Sequence, residues 1–544
     1  MLARRCGLPF TITVFALSCL AALSARADLA SLVGNDPFFN SLEKTAARAN
    51  QATFNLLDPV CRGGTAANCN GSQLKVYENV RELVHTANEL QGSGPTLYSL
   101  QLDKQGLGFA LRWTAAEETS AAGSSSTDFT NNQLTNLSSR LTALRFGARG
   151  FQVTSRGPIP ADQMARLARA ARDKAATERA AYAVAASGEP SHGDARGRAQ
   201  NESGVESRAE SPLGAPLETP LETMTGGGAA ADEAPAQFSH LGGFLNISYS
   251  LGSSDPTAVE DAFDYNSLDL TGGFDYRFDN GWIVGATAGT SNSKVNFDSV
   301  KSIVDGAIKG DGASFAAFAM YNPSAWYATI NVSGQFVNFD MTRFIKYPSF
   351  NPDVDNVSTA TLSNTKSRTL TVNTSGGYDW TWKAFALEPY VKVDYARISI
   401  DGFTERDIAN DGFDFAVADQ TIESLQTGVG VRGSYTWTPS FGVFIPYVRG
   451  EYFHEFKDPS RNVKTQYRSI ASNTTQASFA VPTNKPDPDY YVATLGLSAI
   501  VRGGRPDNDG VIRGGVQVFV EVREILGLQD ITNHVFTGGF RYEF

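Results

Sequence analysis

The residues that could do chemistry in this chain are few, and they form no known catalytic motif. Its five histidines include no H-E-x-x-H pair that would hold a metal ion. The chain also has no G-x-S-x-G nucleophile elbow and no phosphate loop. His454 and Glu455 are adjacent on a predicted strand. Neighbouring side chains of a strand point to opposite faces, so we expect these two not to form an acid–base pair. His85 lies on a predicted helix, where we expect it to be exposed. The histidines are His85, His192, His240, His454 and His534.

One stretch, Asp507-Asn508-Asp509-Gly510, has the beginning of a calcium-binding loop. It lacks the later Glu that completes such a loop, so a turn is the simpler interpretation. We therefore nominate no catalytic, cofactor-binding or metal-binding residue, and we expect the protein not to be an enzyme.

Residues 1–27 have the pattern of a secretory signal peptide, which the Sec translocon would recognise. Arg4 and Arg5 are basic, residues 8–23 are apolar, and Ala25-Arg26-Ala27 is a cleavage signal. A retained anchor and a lipoprotein signal ending at Cys19 are the alternatives. No other apolar run is long enough to cross a bilayer as a helix. A membrane location would therefore require a closed barrel.

Two cysteines, Cys61 and Cys69, remain in the mature chain after the signal is removed. An even number of closely spaced cysteines in an exported protein predicts a disulfide. The short loop that it closes would contribute roughly 2–3 kcal/mol. Two free thiols are the alternative.

Residues 28 to about 150 predict helices. Three apolar stripes recur there at helical spacing, and we expect each to pack in a small bundle, with a partner-binding groove as the alternative. The stripes are Phe39, Leu42, Ala46 and Ala49; Leu74, Tyr77, Val80, Val84, Ala87 and Leu90; and Leu134, Leu137, Leu141 and Leu144.

The next segment is polar. Residues 161–183 predict an arginine-rich helix that either is solvated or lines a polar lumen, with its arginines facing Asp269 and Asp275. Residues 184–237 contain almost no large apolar side chain, so they predict a disordered linker. The net charge of −11 argues against nucleic acid as a partner, because a polyanion is bound by a basic face.

After Phe238 the hydrophobic period changes to two, which predicts strands. Leu268, Leu270 and Phe274, for example, alternate with polar residues such as Asp269 and Asp275. Twelve such segments lie at about 243–251, 268–278, 282–290, 313–322, 325–338, 368–382, 387–400, 422–437, 443–456, 490–502, 515–525 and 533–544.

The connections between these segments alternate between long loops and tight turns, such as Asp279-Asn280-Gly281. Outer-membrane barrels have long outside loops and short periplasmic turns, so the pattern predicts an all-β transmembrane barrel of twelve antiparallel strands with both ends in the periplasm. A soluble β-sandwich would have shorter strands and no such asymmetry. The last segment carries Phe540, Tyr542 and the terminal Phe544 on one face, which we expect to meet outer-membrane lipid.

Three stretches of this region resemble the autotransporter (type V secretion) family: 519–544, 270–277 and 446–456. The resemblance implies a C-terminal translocator at 240–544 that carries its own N-terminal passenger to the cell surface. It also implies a place in the outer membrane of a Gram-negative bacterium, with Phe540, Tyr542 and Phe544 as the signal read by the barrel-assembly machinery. The segment 134–150 resembles the helical stretch ahead of some autotransporter barrels.

These patterns divide the chain into a signal peptide (1–27), a helical passenger or stalk (28–157), a polar helix and linker (158–239) and the barrel (240–544). The expected function is export and surface display of the helical segment, with a possible role in adhesion or host contact and an unidentified surface ligand. The Gly-Asp-Ser-Leu block of the family's esterases is missing. A passive pore and a surface hydrolase with an unrecognised site are the alternatives. A tag near Gly123 is expected to be accessible on intact cells.

Overall fold

The computed structural model describes residues 28–63, 69–145, 150–157, 240–254, 256–297, 303–440, 442–457, 460–471, 477–485, 487–503, 505–506, 512–527 and 534–542. Four features predicted from the sequence lie outside these residues: the signal peptide, the polar helix and linker at 158–239, the turn at 507–510, and Phe544.

The described N-terminal part is helical up to Arg145 and ends in one strand. Asn40 and Asn70 each cap a helix, and each forms a reciprocal capping box with the side chain three residues later, Glu43 and Gln73. The helices are α1 (Leu29–Asn35), α2 (Ser41–Cys61), α3 (Gly71–Leu90), α4 (Lys104–Trp113) and α5 (Ala121–Arg145), with a 3-10 turn at Glu117–Ser120.

Helices α1 to α4 form a compact unit, which we call the helical cap. Its interior is apolar, with Leu42, Val80 and Leu107 fully buried. Such burial stabilises a helix pair by roughly 1.5–3 kcal/mol per large side chain. The sulfur atoms of Cys61 and Cys69 are bonded to each other at the end of α2.

Within the described part of the chain, thirteen strands form a closed barrel around a lumen. The barrel strands are β1 (Gly150–Gly157), β2 (Leu241–Ser254), β3 (Phe263–Arg277), β4 (Trp282–Phe297), β5 (Gly306–Tyr321), β6 (Trp326–Tyr347), β7 (Val357–Tyr378), β9 (Phe385–Ile400), β13 (Gln420–Tyr435), β14 (Val443–Glu455), β17 (Asp489–Arg502), β20 (Val516–Leu526) and β21 (His534–Tyr542). Short strands lie in the connections: β8 (Trp380–Trp382), β10 (Phe403–Thr404), β11 (Arg406–Asp407), β12 (Phe415–Val417), β15 (Asn462–Tyr467), β16 (Phe479–Pro482), β18 (Arg505–Pro506) and β19 (Ile512–Arg513).

The predicted fold class is confirmed, but the strand count differs by one. The twelve segments found by alternation correspond to the strands from β2 to β21. The additional strand, β1, comes from the segment expected to be helical, and it lies between β2 and β21. It is parallel to β2, whereas the other neighbouring barrel strands are antiparallel. A barrel with an odd number of strands must contain one such parallel pair.

The two faces of the wall differ in polarity, as the period-two pattern predicts. Inward side chains such as Asp269 and Thr271 are almost fully buried, whereas Leu270 and Phe274 are exposed on the outer face. Five of the six tryptophans are exposed near the short-turn end of the wall, where barrels carry an aromatic girdle. These are Trp282, Trp326, Trp380, Trp382 and Trp437.

At the opposite end, the wall continues beyond the barrel into a second layer. Strands β6 and β7 are 22 residues each, about twice the length that a tilted membrane strand needs. Beside them β10, β12, β15 and β16 form a small antiparallel sheet. Phe415, Tyr467 and Phe479 stack within this sheet and belong to the same apolar core as the helical cap. We call this end, which carries the long connections, the long-loop end.

Among the residues that the structure describes, no helix is both long enough and apolar enough to cross a membrane.

Candidate functional site: a helix in the lumen and its outer mouth

Helix α5 lies inside the barrel and runs along its lumen. Its first turn lies at the long-loop end, where the Nη2 of Arg461 donates to the Ser120 carbonyl at 3.0 Å. Its last turn lies near the short turns, where the Nη2 of Arg277 donates to the Leu144 carbonyl at 3.0 Å. The chain therefore passes from the helical cap through the barrel to the opposite end.

The middle of α5 is held by amide side chains that bond to the inner wall. The Nδ2 of Asn132 donates to Asp269 at 2.9 Å, and the Nδ2 of Asn136 donates to the Thr271 hydroxyl at 3.0 Å. The Thr271 hydroxyl in turn donates to the side chain of Gln133 at 2.9 Å. Because buried polar groups must be hydrogen-bonded, these side chains suit a polar lumen and would destabilise an apolar bundle.

One turn further, α5 contributes a fully buried charge. The Nε of Arg140 donates to the Oδ2 of Asp275 at 2.8 Å, and the side chain of Arg140 has no exposed surface. Gly242 leaves the space for this pair, since a Cβ there would lie 2.4 Å from the Asp275 carboxylate and 2.6 Å from the Arg140 guanidinium. A buried pair of this kind depends on both partners, because either charge alone would be left unsolvated.

The final residue of α5 closes the row of contacts. Arg145 forms an ion pair with Glu388, and its guanidinium lies 3.9 Å from the centre of the Tyr327 ring. The hydroxyl of Tyr327 donates to the same carboxylate at 3.0 Å. Arg145 thus bridges strands β6 and β9 at the short-turn end.

The leucines of α5 pack against the wall. Leu137 and Leu144 are buried in a small cluster with Phe244 and Phe318, which lie on the barrel strands. The expectation that the third apolar stripe packs in a helical bundle is therefore wrong for this helix, whereas α2 and α3 do pack together. The leucines of α5 occupy only its second half, and polar residues such as Asn132, Gln133 and Asn136 lie beside them.

Asp269 and Asp275 lie on the inner face, as predicted. Their described partners on α5 are Asn132 and Arg140. The predicted helix at 161–183 lies outside the described part of the chain, so its contact with these carboxylates stays a prediction.

A cavity of about 630 Å³ remains in the lumen beside α5. Its wall carries alternating charges, with Arg449 lying 3.4 Å from Glu451 and 3.8 Å from Glu521. The further charged lining residues include Arg156, Arg432 and Arg523. The helix therefore fills one side of the lumen and leaves a charged space on the other.

At the outer mouth, three buried charges join the cap to the barrel. Arg112 at the end of α4 donates to Asp261 at 2.8 Å and to Glu117 at 3.0 Å. All three side chains are at most 4% exposed. Asp261, in the connection after β2, also accepts the backbone N–H groups of Ile303 and Val304 at 2.8 and 2.9 Å. The Asp261 carboxylate thus links the helical cap to the β2–β3 connection and to the β4–β5 connection.

A second buried ion pair lies nearby. The Nη2 of Arg343 on β6 donates to Glu405 at 2.6 Å, and its Nη1 donates to the Trp113 carbonyl at 3.4 Å. The hydroxyl of Tyr467 on β15 donates to Asn50 of α2 at 2.8 Å. The apolar contact between the cap and the outer sheet is therefore fixed in register by buried polar bonds.

Further bonds connect the cap to the long connections. The Phe350 N–H donates to the Leu100 carbonyl at 2.9 Å, and the Nδ2 of Asn351 donates to the Ser99 carbonyl at 2.8 Å. The Nδ2 of Asn79 donates to the Asp411 carbonyl at 2.6 Å. The cap is therefore docked on the barrel through several loops at once.

Two expectations about single residues are wrong. His85 is buried, not exposed: its ring packs on Tyr98, and burial together with the neighbouring Arg81 charge lowers the pKa of His85 to about 4. Gly123 is also buried, and a Cβ there would lie 2.1 Å from Arg461. A tag at Gly123 would disrupt α5, so the exposed turn at Gly92 is the better position.

No catalytic arrangement is found among the described residues. His454 lies 2.7 Å from Asp489 on the exposed outer face, and the described contacts of its ring include no serine or cysteine. Glu455 points the other way and accepts the Leu425 N–H at 2.8 Å. Within the same described ranges, no three His, Cys, Asp or Glu side chains are grouped to hold a metal ion.

The C-terminal residues named from the sequence lie on the last strand. Phe540 and Tyr542 are about half exposed on the outer face of β21, at its short-turn end. Their role as an assembly signal stays a prediction.

Sequence reasoning missed three functional features: the lumen position of α5, the strand β1, and the contacts of Arg112 and Arg343. Asn132, Gln133 and Asn136 beside an apolar stripe could have indicated a polar environment for α5. The ion pairs Arg112–Asp261 and Arg343–Glu405 join residues far apart in the chain, and no local pattern indicates them.

Comparison with known proteins places the barrel in a family. Residues 243–504 match the family described as "Autotransporter beta-domain". Two curated proteins named "Esterase EstA", from Pseudomonas aeruginosa and Pseudomonas putida, are each 25% identical over 224 residues. That match covers 41% of this chain and 32% of each esterase. The chain therefore spans about a third of the length of the curated relatives it matches.

Solved structures with a similar fold include the translocator domain of autotransporter NalP from Neisseria meningitidis, with a TM-score of 0.39 and 14% identity. The match covers 54% of this chain and 85% of that one. The β-domain of the Bordetella autotransporter BrkA has a TM-score of 0.36 and 14% identity, covering 56% of this chain and 100% of that one.

Proposed function

We propose that this chain, whose barrel matches the autotransporter β-domain family, is an outer-membrane autotransporter that exports its N-terminal helices and keeps them at the cell surface as a docked cap. The observation that carries the proposal is the path of the chain. The cap lies at the long-loop end, α5 passes down the lumen, and the barrel begins at the short-turn end. Long loops face outside in outer-membrane barrels, so this path supports a location of the cap outside the cell.

The bonds at the mouth favour retention of the cap over its release. A released passenger would leave Asp261 without Arg112 and Arg343 without the Trp113 carbonyl. It would also expose the apolar surface of the small sheet formed by β10, β12, β15 and β16. Ion pairs as buried as Arg112–Asp261 are strongly destabilised when one partner is removed. A surface-retained module of this kind suits adhesion or host contact, and its ligand is unidentified.

A passive pore is the weaker alternative. Helix α5 bonds to the wall along its length and leaves a cavity of about 630 Å³, so the resting barrel offers no wide path. A surface hydrolase draws support only from the name of the EstA relatives, whose match covers a third of their length.

Surface accessibility tests the proposal. A short epitope tag inserted after Gly92, in the exposed turn following α3, should bind antibody on intact cells. A matched tag inserted at Ser440, in the turn between β13 and β14, should bind only after the outer membrane is permeabilised. Antibody binding to the Gly92 tag only after permeabilisation would place the cap in the periplasm and refute surface display.

A further inference from the structure

We propose that β1 is a latch: a strand that enters the seam between β2 and β21 of a twelve-stranded barrel and holds the exported segment in place. The inference rests on the proposed function, because it explains how an exported cap is retained. It concerns the seam, which we define as the facing edges of β2 and β21.

The direction of β1 is the first observation. It pairs with β2 at seven positions in parallel and with β21 at seven positions in antiparallel orientation. If β1 is left out, β2 and β21 run antiparallel to each other, like the other neighbours in the wall. Two edges that already have the right direction to pair can close an even-stranded barrel without β1.

The side chains of β1 fit the wall on both faces. Gln152 and Thr154 point into the lumen and are 2% and 3% exposed, and the Nη1 of Arg140 lies 3.5 Å from the Gln152 side-chain oxygen. Phe151 and Val153 alternate with them and face outward. From Phe151 to Thr154 the alternation is that of a membrane strand. The next outward residue, Ser155, is small and exposed.

Glycines on both sides of the seam allow the close approach. A Cβ at Gly539 would lie 2.5 Å from the Val153 carbonyl oxygen, and one at Gly243 would lie 3.1 Å from the Phe151 ring. At Gly539 the close atom belongs to the backbone of β1, and at Gly243 it belongs to the Phe151 side chain. Both neighbours therefore pack against β1 as closely as strands elsewhere in the wall pack against each other.

The position of β1 in the chain gives the latch its effect. It begins at Gly150, five residues after α5 ends at Arg145. Fixing β1 in the wall therefore fixes the end of the lumen helix, and through α5 it fixes the cap. A helix held only by lumen contacts could slide, whereas a paired strand cannot move without breaking its ladder.

Disulfide trapping tests which strands are neighbours. Three double variants are compared: Val153→Cys with Phe540→Cys, Val153→Cys with Leu245→Cys, and Leu245→Cys with Phe540→Cys. Val153 pairs with both Leu245 and Phe540, so the first two pairs should be joined in resting outer membranes. Leu245 and Phe540 are separated by two strand spacings, roughly 9.5 Å, which is too far for a disulfide.

The methionines of the chain provide the readout. After oxidation, alkylation and unfolding, cyanogen bromide cleaves after Met164, Met224 and Met341 and so separates positions 153, 245 and 540 into different fragments. Cys61 and Cys69 stay within one fragment and do not interfere. Joined fragments on a non-reducing gel report each disulfide. Efficient joining of 245 to 540 in resting membranes, with 153 joined to neither, would overturn the proposal.

The order of events separates a latch from an integral wall strand. In pulse-labelled cells oxidised at successive times, the 245–540 disulfide should form first and give way to the 153–540 disulfide. Two further double variants, Leu245→Cys with Gly538→Cys and Leu245→Cys with Tyr542→Cys, detect direct pairing of β2 with β21 in a register shifted by two residues. Appearance of 153–540 at the earliest heat-resistant stage, with none of the direct seam disulfides, would contradict the latch.

Proline removes the N–H groups that β1 needs for its ladder. In a Val153→Pro/Ser155→Pro variant, the 245–540 disulfide should rise at least tenfold while the barrel remains resistant to heat. The matched Val153→Ala/Ser155→Ala variant should keep the resting pattern. Failure of the proline variant to assemble would show that β1 is required in the wall and would refute the latch. Antibody binding to the epitope tag after Gly92, measured in the same variants on intact cells, reports surface display separately from the latch.

Discussion

Helices α3 and α5 both carry apolar residues at helical spacing, yet they lie in different environments. The buried residues of α3 are mainly apolar, and they pack in the core of the helical cap. Most buried residues of α5 are Ser, Thr, Asn, Gln or Arg, and they bond to the inner wall of the barrel. An apolar stripe therefore does not determine where a helix packs.

Polar residues beside the apolar stripe therefore decide where a helix packs. Burying an amide or a charge without a partner costs about 1–3 kcal/mol or more, so α5 is stable only against a wall that supplies partners. The inner wall supplies these partners: Asp269 lies beside Asn132, Thr271 beside Asn136, and Asp275 beside Arg140. Helix α3 buries fewer polar side chains, and these bond to the segment that follows the helix: Thr86, for example, accepts the Leu100 N–H at 2.9 Å.

The largest expected effect follows from removing one charge of the lumen pair. Arg140→Met should destabilise docking of α5 by about 3–5 kcal/mol, because Asp275 is left buried and unpaired. The measurement is the temperature at which the heat-dependent gel shift occurs, together with protease sensitivity of the N-terminal part. The double variant Arg140→Met/Asp275→Leu should recover most of the loss, and a double variant as weak as the single one would argue against the pair.

A smaller effect is expected at the outer mouth. Asp261→Ala removes the acceptor of Arg112 and of two backbone N–H groups, so the contact between cap and barrel should weaken by about 2–3 kcal/mol. Protease should then cleave the cap on intact cells, while the heat resistance of the barrel stays unchanged. Asp279→Ala, on an exposed short turn, is the control and should alter neither. An equal loss of barrel stability would mean that the mouth is not a separate contact.

The helical cap should lose stability in acid because of His85. Its pKa is lowered to about 4 in the folded state against an ordinary value of 6.5, so the folded state disfavours protonation. The stability that this contributes is present above pH 6.5 and is lost as the pH falls toward 4. At pH 5 the cap should be weaker by about 1–2 kcal/mol.

The His85→Gln variant should lack this acid dependence, whereas Glu82, whose pKa is raised to about 8, is common to both proteins. Hydrogen exchange of α3 between pH 7 and pH 5 provides the measurement. Equal acid sensitivity of the two proteins would assign the effect to another group.

The smallest effect is expected at Asn70, the residue that caps the N-terminus of α3. Asn70→Ala removes the side chain that accepts the Gln73 N–H at 2.8 Å, which should cost about 1 kcal/mol in the helical cap and nothing in the barrel. Ser72→Ala, on the exposed first turn of α3, is the matched control. Thermal unfolding followed by limited proteolysis distinguishes the two regions.

Most of the barrel was predictable because the membrane strands from β2 to β21 each carry their own signal. Alternation as in Leu268, Leu270 and Phe274 predicts a face toward lipid without knowledge of any other strand. Strand β1 was not predictable in this way, since only Phe151 and Val153 alternate and a long polar segment separates them from the barrel. The place of α5, and the contacts of Arg112, depend on partners more than a hundred residues away.

The central claim is that α5 rests in the lumen of the assembled barrel. The hydroxyl of Ser126 lies 3.0 Å from that of Ser367 on β7, so Ser126→Cys/Ser367→Cys should form a disulfide in intact cells. Cleavage at methionine separates the two positions, and the joined fragments report the bond. Thr127→Cys/Ser367→Cys, turned by one position around the helix, is the control and should join poorly. We predict efficient joining of the first pair in heat-resistant barrels, and heat-resistant barrels without it would contradict the account.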